Sequence, residues 1–384
     1  MNKNKLSNPV RLIAFFLTAA VLICTFGFTV DGWNINIFTD NNNNQAMFPD
    51  PPDNEDEGDS SAGTTPDEPE VYIPEFVDRI TGLEVSEEIA DKAHLAFVMN
   101  PNLPIYGISN AELLSEIPTE DGTRYLAFIS DIDNLWKIGS LTPTRGYISN
   151  IAKYYGSVTV ANGCDDSIQY GKCDTNGMAL DLSNGSYHYT EFTSNVYTNR
   201  DLLSSGILTS GIDQSMISAP TLPYDFPDFG SEPIAFDGGS VIKITINRGR
   251  DSVSDLIYNS ETGKYTLCKN GMAVTDSLNG KTASFDNCFV LSADSITYDN
   301  AESNQMVMDT IGQGKGYYFT GGSFTEISWV GCDDGTLTFF TTDGERLKAN
   351  RGTTYISFIK SSKTDSILFD IEKTEDHTSV FFTF

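Results

Sequence analysis

His94-Leu95-Ala96-Phe97-Val98-Met99, closed by Asn100-Pro101, is a short apolar run whose length and hard stop predict a buried strand. Further along, Tyr125–Ile129 is a second apolar run, and Ser157–Ala161 a third, rich in β-branched residues. Between the first two, Ser109-Asn110-Ala111-Glu112 has the spacing of a capping box and predicts a helix over Ala111–Ile117, stopped by Pro118. Between the second and third, Arg145–Tyr155 places Ile148, Ile151, Ala152 and Tyr155 on one helical face, with Gly156 as its C-cap. This β-α-β-α-β order implies a sheet with helices packed on it, an α/β domain over residues 77–218.

Beyond a Pro-rich joint at residues 219–233, within Ser218–Pro233, the helical period disappears. Val241-Ile242-Lys243-Ile244-Thr245-Ile246-Asn247 alternates as a half-buried strand does. Hairpin signals follow at Glu261-Thr262-Gly263, Asn270-Gly271, Gly321-Gly322 and Asp343-Gly344. Residues 234–360 therefore read as a mainly antiparallel β domain. The tail, 361–384, offers added strands at Ile367–Ile371 and Val380–Phe384. The fold class expected is α+β, with the α/β sheet domain first and the β domain second.

Toward the N-terminus, Lys3, Lys5 and Arg11 lie in the n-region 1–11 and precede an uncharged apolar run over residues 12–30, long enough to span a bilayer as a helix. The next basic residue after Arg11 is Arg79. That bias places the N-terminus inside and the rest on the extracytoplasmic face of the cell membrane. Three fates stay open: a retained transmembrane anchor, lipidation at Cys24 behind the bulky Val21-Leu22-Ile23, or cleavage near Thr25-Phe26-Gly27. Residues 31–76 read as a disordered acidic linker with too few apolar side chains to offset its ordering entropy. Its DNEDEGD segment, 53–59, lacks the closing Glu of a calcium loop.

The formal net charge is −29, and residues 79–384 alone carry 40 acids against 21 bases. With no Lys/Arg cluster, such a surface repels phosphate backbones, and nucleic acid is excluded as a partner. Six cysteines are too few for a disulfide scaffold, and Cys164 and Cys173 have no zinc-ligand spacing. No cofactor or metal motif is present, and neither is HExxH, GxSxG or a GKS/T loop. Of the three histidines, His94 starts a strand and His377 sits in the polar tail, neither with an evident partner. Cys164 beside Asp165 and Asp166, with His188 downstream, is a poor thiol nucleophile, since acidic neighbours raise a thiol pKa. Gly312-Gln313-Gly314-Lys315-Gly316 precedes a strand rather than a helix, so it reads as a tight turn or bulge and not a phosphate loop. Arg124 and Arg145 stand at strand and helix junctions. Each either clamps an anionic group or closes on one of the many acids.

Several segments carry a family resemblance. In the β domain they are Asp309-Thr310-Ile311-Gly312-Gln313-Gly314-Lys315-Gly316-Tyr317-Tyr318-Phe319, Gly322, Glu326-Ile327-Ser328-Trp329 and Phe339–Gly352. Upstream, Ala96–Asn100, Tyr106–Ala111, Gly122–Ala127, Lys137-Ile138-Gly139, Arg145-Gly146-Tyr147 and Asn195-Val196-Tyr197-Thr198 fall in matching order. Over about residues 77–360 the chain resembles the YerB-like lipoprotein family, a two-domain family whose function is unassigned. The resemblance implies an Arg-Ser-x-Arg turn, of which only Arg145 stands, with Thr142 at the first position. It also implies histidines where this chain has Val160-Ala161-Asn162-Gly163 and Thr193-Ser194-Asn195. The expectation is an anion pocket with Arg124 and Arg145 at its centre and Asn162, Asn195 and Tyr197 on its rim, without the imidazoles that proton transfer needs. Two functions follow. One is a non-enzymatic cell-envelope binding module tethered to the membrane, its partner an unidentified envelope component or protein. The other is an enzyme, or degenerate enzyme, acting on an anionic envelope substrate at the arginine pocket.

Overall fold

The structure is a computed structural model describing residues 71–164, 179–191, 195–210, 222–237, 240–249, 252–299, 304–361, 365–372 and 377–382. Glu68–Phe384 forms one compact unit. Met1–Asp67 is a second unit, and with it the apolar run 12–30, Cys24 and most of the acidic linker lie outside the described residues. No helix among the described residues is long and apolar enough to cross a membrane.

The first half runs α1 (Glu87–Ala90), β1 (Leu95–Met99), β2 (Leu113–Thr119), β3 (Gly122–Ile129), β4 (Ile138–Leu141) and α2 (Gly146–Tyr154). It continues with β5 (Val158–Ala161), β6 (Ala179–Asp181), β7 (Tyr189–Glu191), β8 (Asn195–Thr198) and α3 (Arg200–Ser210). The second half adds β9 (Ser240–Asn247), β10 (Val253–Asn259), β11 (Lys264–Lys269), β12 (Met272–Ala273), β13 (Ser284–Phe285), β14 (Asn287–Ala293) and β15 (Ser295–Asp299). Then come β16 (Asn304–Met308), β17 (Gly312–Thr320), β18 (Ser323–Gly331), β19 (Leu337–Thr341), β20 (Thr354–Lys360), β21 (Ser366–Glu372) and β22 (His377–Phe382). The molecule is thus mostly β with few helices.

Thirteen strands form one sheet in the order β19-β18-β17-β14-β20-β2-β3-β1-β4-β8-β7, with β5 and β6 branching from β1. Pairing in it is mixed: β20 runs parallel to both β14 and β2, whereas β2 and β3 are antiparallel. A second, seven-stranded sheet has the order β12-β11-β10-β9-β21-β22, with β13 beside β11. Phe97, Leu114, Tyr125 and Tyr355 of the first sheet pack against Ile244, Leu256, Leu267 and Phe369 of the second. On the opposite face, Ala96, Val98, Leu113 and Leu126 meet Ile148, Ile151 and Ala152 of α2, with Tyr224, Phe289 and Trp329. Both faces of β1 are covered, which is why its sequence is a continuous apolar run rather than an alternating one.

Three expectations are corrected. The segment Ala111–Ile117 is not a helix. A single 3-10 turn, Ile108–Asn110, leads into strand β2. Glu112 does not reach back to a cap but accepts hydrogen bonds from Ser130, and Ser109 donates its hydroxyl to Asp276 at 2.6 Å. Leu113 and Ile117 fill one face of the sheet and Leu114 the other, a burial that overrides local helical preference. Pro118 is tolerated because β20 pairs only with Leu113–Glu116, so its missing N–H interrupts no ladder there.

The second correction concerns Gly312–Gly316, which lies within strand β17 rather than in a turn. A Cβ on Gly314 would meet the Ser292 carbonyl at 2.2 Å and Trp329 Nε1 at 2.6 Å, so close packing explains that glycine. Third, the joint at 219–233 does not separate two sheets. Strand β20 of the second half lies between β14 and β2 in one continuous sheet, and Asp225 of the joint donates its N–H to the Leu347 carbonyl while its own carbonyl accepts from the N–H of Ala349. The two tail strands add to the second sheet beside β9.

Candidate functional site

Arg124, on β3, and Arg145, the residue before α2, both bear electrostatically on the phenol of Tyr147, which donates to the Pro118 carbonyl at 3.1 Å. That phenol is pushed above its ordinary value by burial and then by Glu120, against the opposing charges of Arg145 and Arg124. The two guanidinium groups are nevertheless taken up. Arg124 Nη2 donates to Asp121 at 2.7 Å and its Nη1 to the Thr123 carbonyl, while Arg145 Nη2 donates to Glu120 and its Nη1 to the Thr144 carbonyl. Glu120 and Asp121 form the β2–β3 turn, so the hairpin itself supplies the counter-charges.

The three rim residues lie in other surroundings. Tyr197 is buried, accepts from Ser140 Oγ at 3.3 Å, and meets Tyr106 edge-on at 5.4 Å. Lys137 Nζ sits 4.0 Å above its ring and bonds Glu191 at 2.6 Å, closing a lysine–tyrosine cluster. Asn195 faces Glu191 across β7 and β8, and the backbone of Asn162 donates to Thr142. None of the five residues lines either cavity described below. Cys164 is held in a disulfide, which removes it as a nucleophile, and residues 165–178 lie outside the described residues. His188 bonds the Leu182 carbonyl. His94, for which the sequence offers no partner, bonds Asp78 at 2.8 Å.

A polar cluster is buried between the two sheets. Glu116 of β2, fully inaccessible, accepts from Lys269, from Ser254 at 2.7 Å and from Tyr355, with Arg248 Nη1 at 3.3 Å. Burial alone would raise its carboxyl. The charges of Arg248 and Lys269, with the hydrogen bonds from Lys269 and Ser254, more than reverse this and hold it at about 2. With no open face, this cluster is architecture.

A site open to solvent lies at the joint. Asn350 fixes the chain there, accepting from the Ile234 N–H and donating to the Ile234 carbonyl, both at 2.8 Å, as a neighbouring strand would. The following residue, Arg351, stacks with its guanidinium carbon 3.7 Å from the Phe229 ring centre and 5.3 Å from that of Phe226, and donates to the Pro227 carbonyl. No carboxylate among the described residues forms an ion pair with it, and its Nε is buried without a partner. Desolvation lowers its pKa, against the pull of Asp228. The guanidinium stays charged at any physiological pH. Arg351 lines a cavity of about 500 Å³ together with Phe229, Ser231, Glu232, Asp286 and Gly321. Such a volume takes a small ligand. In a chain this acidic, an arginine at a cavity wall with nearby acids but no ion pair is placed to meet an anion from outside. The sequence marks 219–233 as a joint only. The available signal was an arginine in the turn Asn350-Arg351-Gly352 within a family-like segment.

Residues 242–356 match the family described as "Protein of unknown function (DUF3048) C-terminal domain". Among solved structures, the chain is similar to the crystal structure of YerB protein from Bacillus subtilis. The TM-score is 0.64 and the sequence identity 20%, over 76% of this chain and 99% of that one. No curated protein matches. The resemblance carried by the sequence motifs is therefore shown in sequence for the second half and in fold for the larger part of the chain.

Proposed function

We propose that this YerB-like chain is a non-enzymatic binding module of the cell envelope, held at the extracytoplasmic face of the membrane by residues 12–30 and using the cavity at Arg351 to take a carboxylate-bearing envelope component. The observation that carries this reading is the guanidinium of Arg351, stacked on Phe229 and Phe226 at a cavity wall with no carboxylate of its own. A planar fork in that position recognises a carboxylate bidentately. Asp228 and Glu232 beside it disfavour polyanions and favour a ligand with an amino or hydroxyl group next to its acid. The disulfide at Cys164 supports an oxidising compartment, as does the charge asymmetry around residues 12–30.

The test is co-sedimentation of the full chain with isolated envelope fractions, cell-wall fragments and membranes assayed separately. Arg351→Met keeps the apolar stem on the two rings and removes the fork. It should lower retention at least tenfold while leaving the melting temperature within a few degrees. Retention unchanged in the variant, or no retention of the parent on any fraction, overturns the reading. Placement is checked independently: protease added to intact wall-stripped cells should release the compact unit, and protection until lysis refutes the orientation.

A further inference from the structure

Three side chains far apart in sequence meet beneath the start of β1: Asp78, His94 and Glu112. One ligand atom from each lies within 4.8 Å of the other two. Asp78 and His94 are buried, at 3% and 2% exposure, and Glu112 is half-buried. Among the described residues no lysine or arginine forms an ion pair with either carboxylate; Lys92, two residues before His94, is spent on Asp133 and Glu88. Two acids around one imidazole leave the cluster negative whether or not the ring is protonated.

The surrounding donors orient the two carboxylates as supports orient metal ligands. Asp78 Oδ1 accepts from the N–H of Ile80 at 3.0 Å, from the N–H of Thr81 at 2.7 Å and from Thr81 Oγ1 at 2.8 Å. Its Oδ2 is left turned to His94. Glu112 Oε1 accepts from Ser130 Oγ at 2.6 Å, and the Ser130 N–H lies 3.2 Å from both carboxylate oxygens. Asp78 thus has one oxygen pinned by three donors and the other on His94, while Ser130 holds Glu112 through both of its oxygens. His94 Nδ1 is buried with no partner, so the ring is short of one interaction where polar groups are otherwise satisfied.

We propose that Asp78, His94 and Glu112 form a divalent-metal site of the zinc type, a role that goes beyond the ligand binding proposed at Arg351. One nitrogen and two carboxylate oxygens are the donor set that zinc accepts at close range. Calcium and magnesium prefer more oxygens and more water. The ion takes the place of the proton now shared between His94 and Asp78 and cancels the charge of the two acids. Ser130, which holds Glu112, also lines a cavity of about 460 Å³ whose rim carries Glu88, Asp91 and Asp133.

The full chain, stripped with chelator and titrated with zinc chloride alone, should take up one tight equivalent and melt several degrees higher. Cobalt(II) used as a probe should give the visible absorption of a low-coordinate N/O site. Glu112→Gln keeps the shape and the Ser130 contacts, so it should fold, yet bind zinc at least tenfold more weakly and lose the thermal shift. Asp78→Asn should do the same. Zinc binding unchanged in Glu112→Gln places the ion elsewhere, in the acidic N-terminal segment for instance, and overturns the site. The absence of any thermal shift or cobalt spectrum in the parent overturns it too. A calcium response equal to that of zinc overturns the assignment of ion type.

Discussion

Glu116→Gln is the sharpest test of how the two halves are joined. The side chain is fully buried and answers two cations, Arg248 and Lys269, from the opposite sheet. Glutamine preserves size and can still accept from Ser254 and Tyr355, so no cavity forms. What disappears is the negative charge between two buried positive ones. Removing one partner of a buried pair costs about 3–5 kcal/mol, because the survivors keep their desolvation penalty. The pKa leads to a similar figure. A carboxyl held at about 2 against an ordinary 4.5 reflects about 3 kcal/mol of preference for the ionised form in the fold.

The sign fixes the pH window. Because the folded value is depressed, this stability is fully present above about pH 4.5 and is lost as pH falls through about 2. Urea unfolding of parent and variant at pH 7 should differ by about 3–5 kcal/mol, and the difference should shrink through the acid range as Glu116 of the parent is protonated. Lys269 supplies an internal control. Burial first, and Arg248 next, push its pKa down, so without Glu116 it should shed its proton more easily. The deficit should therefore narrow on the alkaline side as well, and Glu116→Gln combined with Lys269→Met should recover part of the loss. A deficit below about 1 kcal/mol at pH 7, typical of a surface pair, would refute the reasoning.

Two further predictions follow from the same junction. Asp276, fully buried, accepts from the N–H groups of Gly107, Ser109 and Leu278 and from the Ser109 hydroxyl, so Asp276→Ala should cost at least about 2 kcal/mol in chemical denaturation. Residues 234–384 expressed alone should show no cooperative melt, since β20 would lose β2 and both Arg248 and Lys269 would lose Glu116; a sharp transition with a β-type circular dichroism spectrum would show that half to be self-sufficient.

The local signals were legible where one element answers to one pattern. Leu95–Met99 reads as a strand because both its faces are covered, and Gly146–Tyr154 reads as a helix because only one of its faces is. The hairpins at Gly263, Gly271 and Gly321–Gly322 were visible because each needs φ > 0 at its turn, which glycine supplies without strain. Leu113–Thr119 carries a helical signal that is local, while the reason it is a strand is not: β20, 241 residues later, pairs with it. A capping box costs a chain little to carry, and a place between two strands outweighs it. The site residues divide along the same line. Arg124 and Arg145 were correctly placed at element ends, but their counter-charges, Glu120 and Asp121, stand in the turn between β2 and β3, where sequence does not say which way they face.

Asp78, His94 and Glu112 illustrate the remaining difficulty. They are separated by 16 and 18 positions and lie on a turn, a strand start and a strand lead-in, so no spacing rule selects them. They meet because β1 and β2 both pair with β3. That sheet brings the residue before each strand to one end, and the turn Asp78–Thr81 closes over them. Arg351 and the joint are brought together by Asn350, which replaces a missing strand partner for Ile234. In both places the chemistry gathers where a single polar side chain ties two distant segments. Asp276 and Glu116 perform that task without any opening to solvent. What separates a tie from a site in this fold is therefore an unmet interaction beside open space. That condition holds for Arg351, with a buried unpartnered Nε at a cavity wall, and its nearest counterpart is His94, whose Nδ1 is buried and unpartnered between Ala93 and Leu95, two residues that line the other cavity.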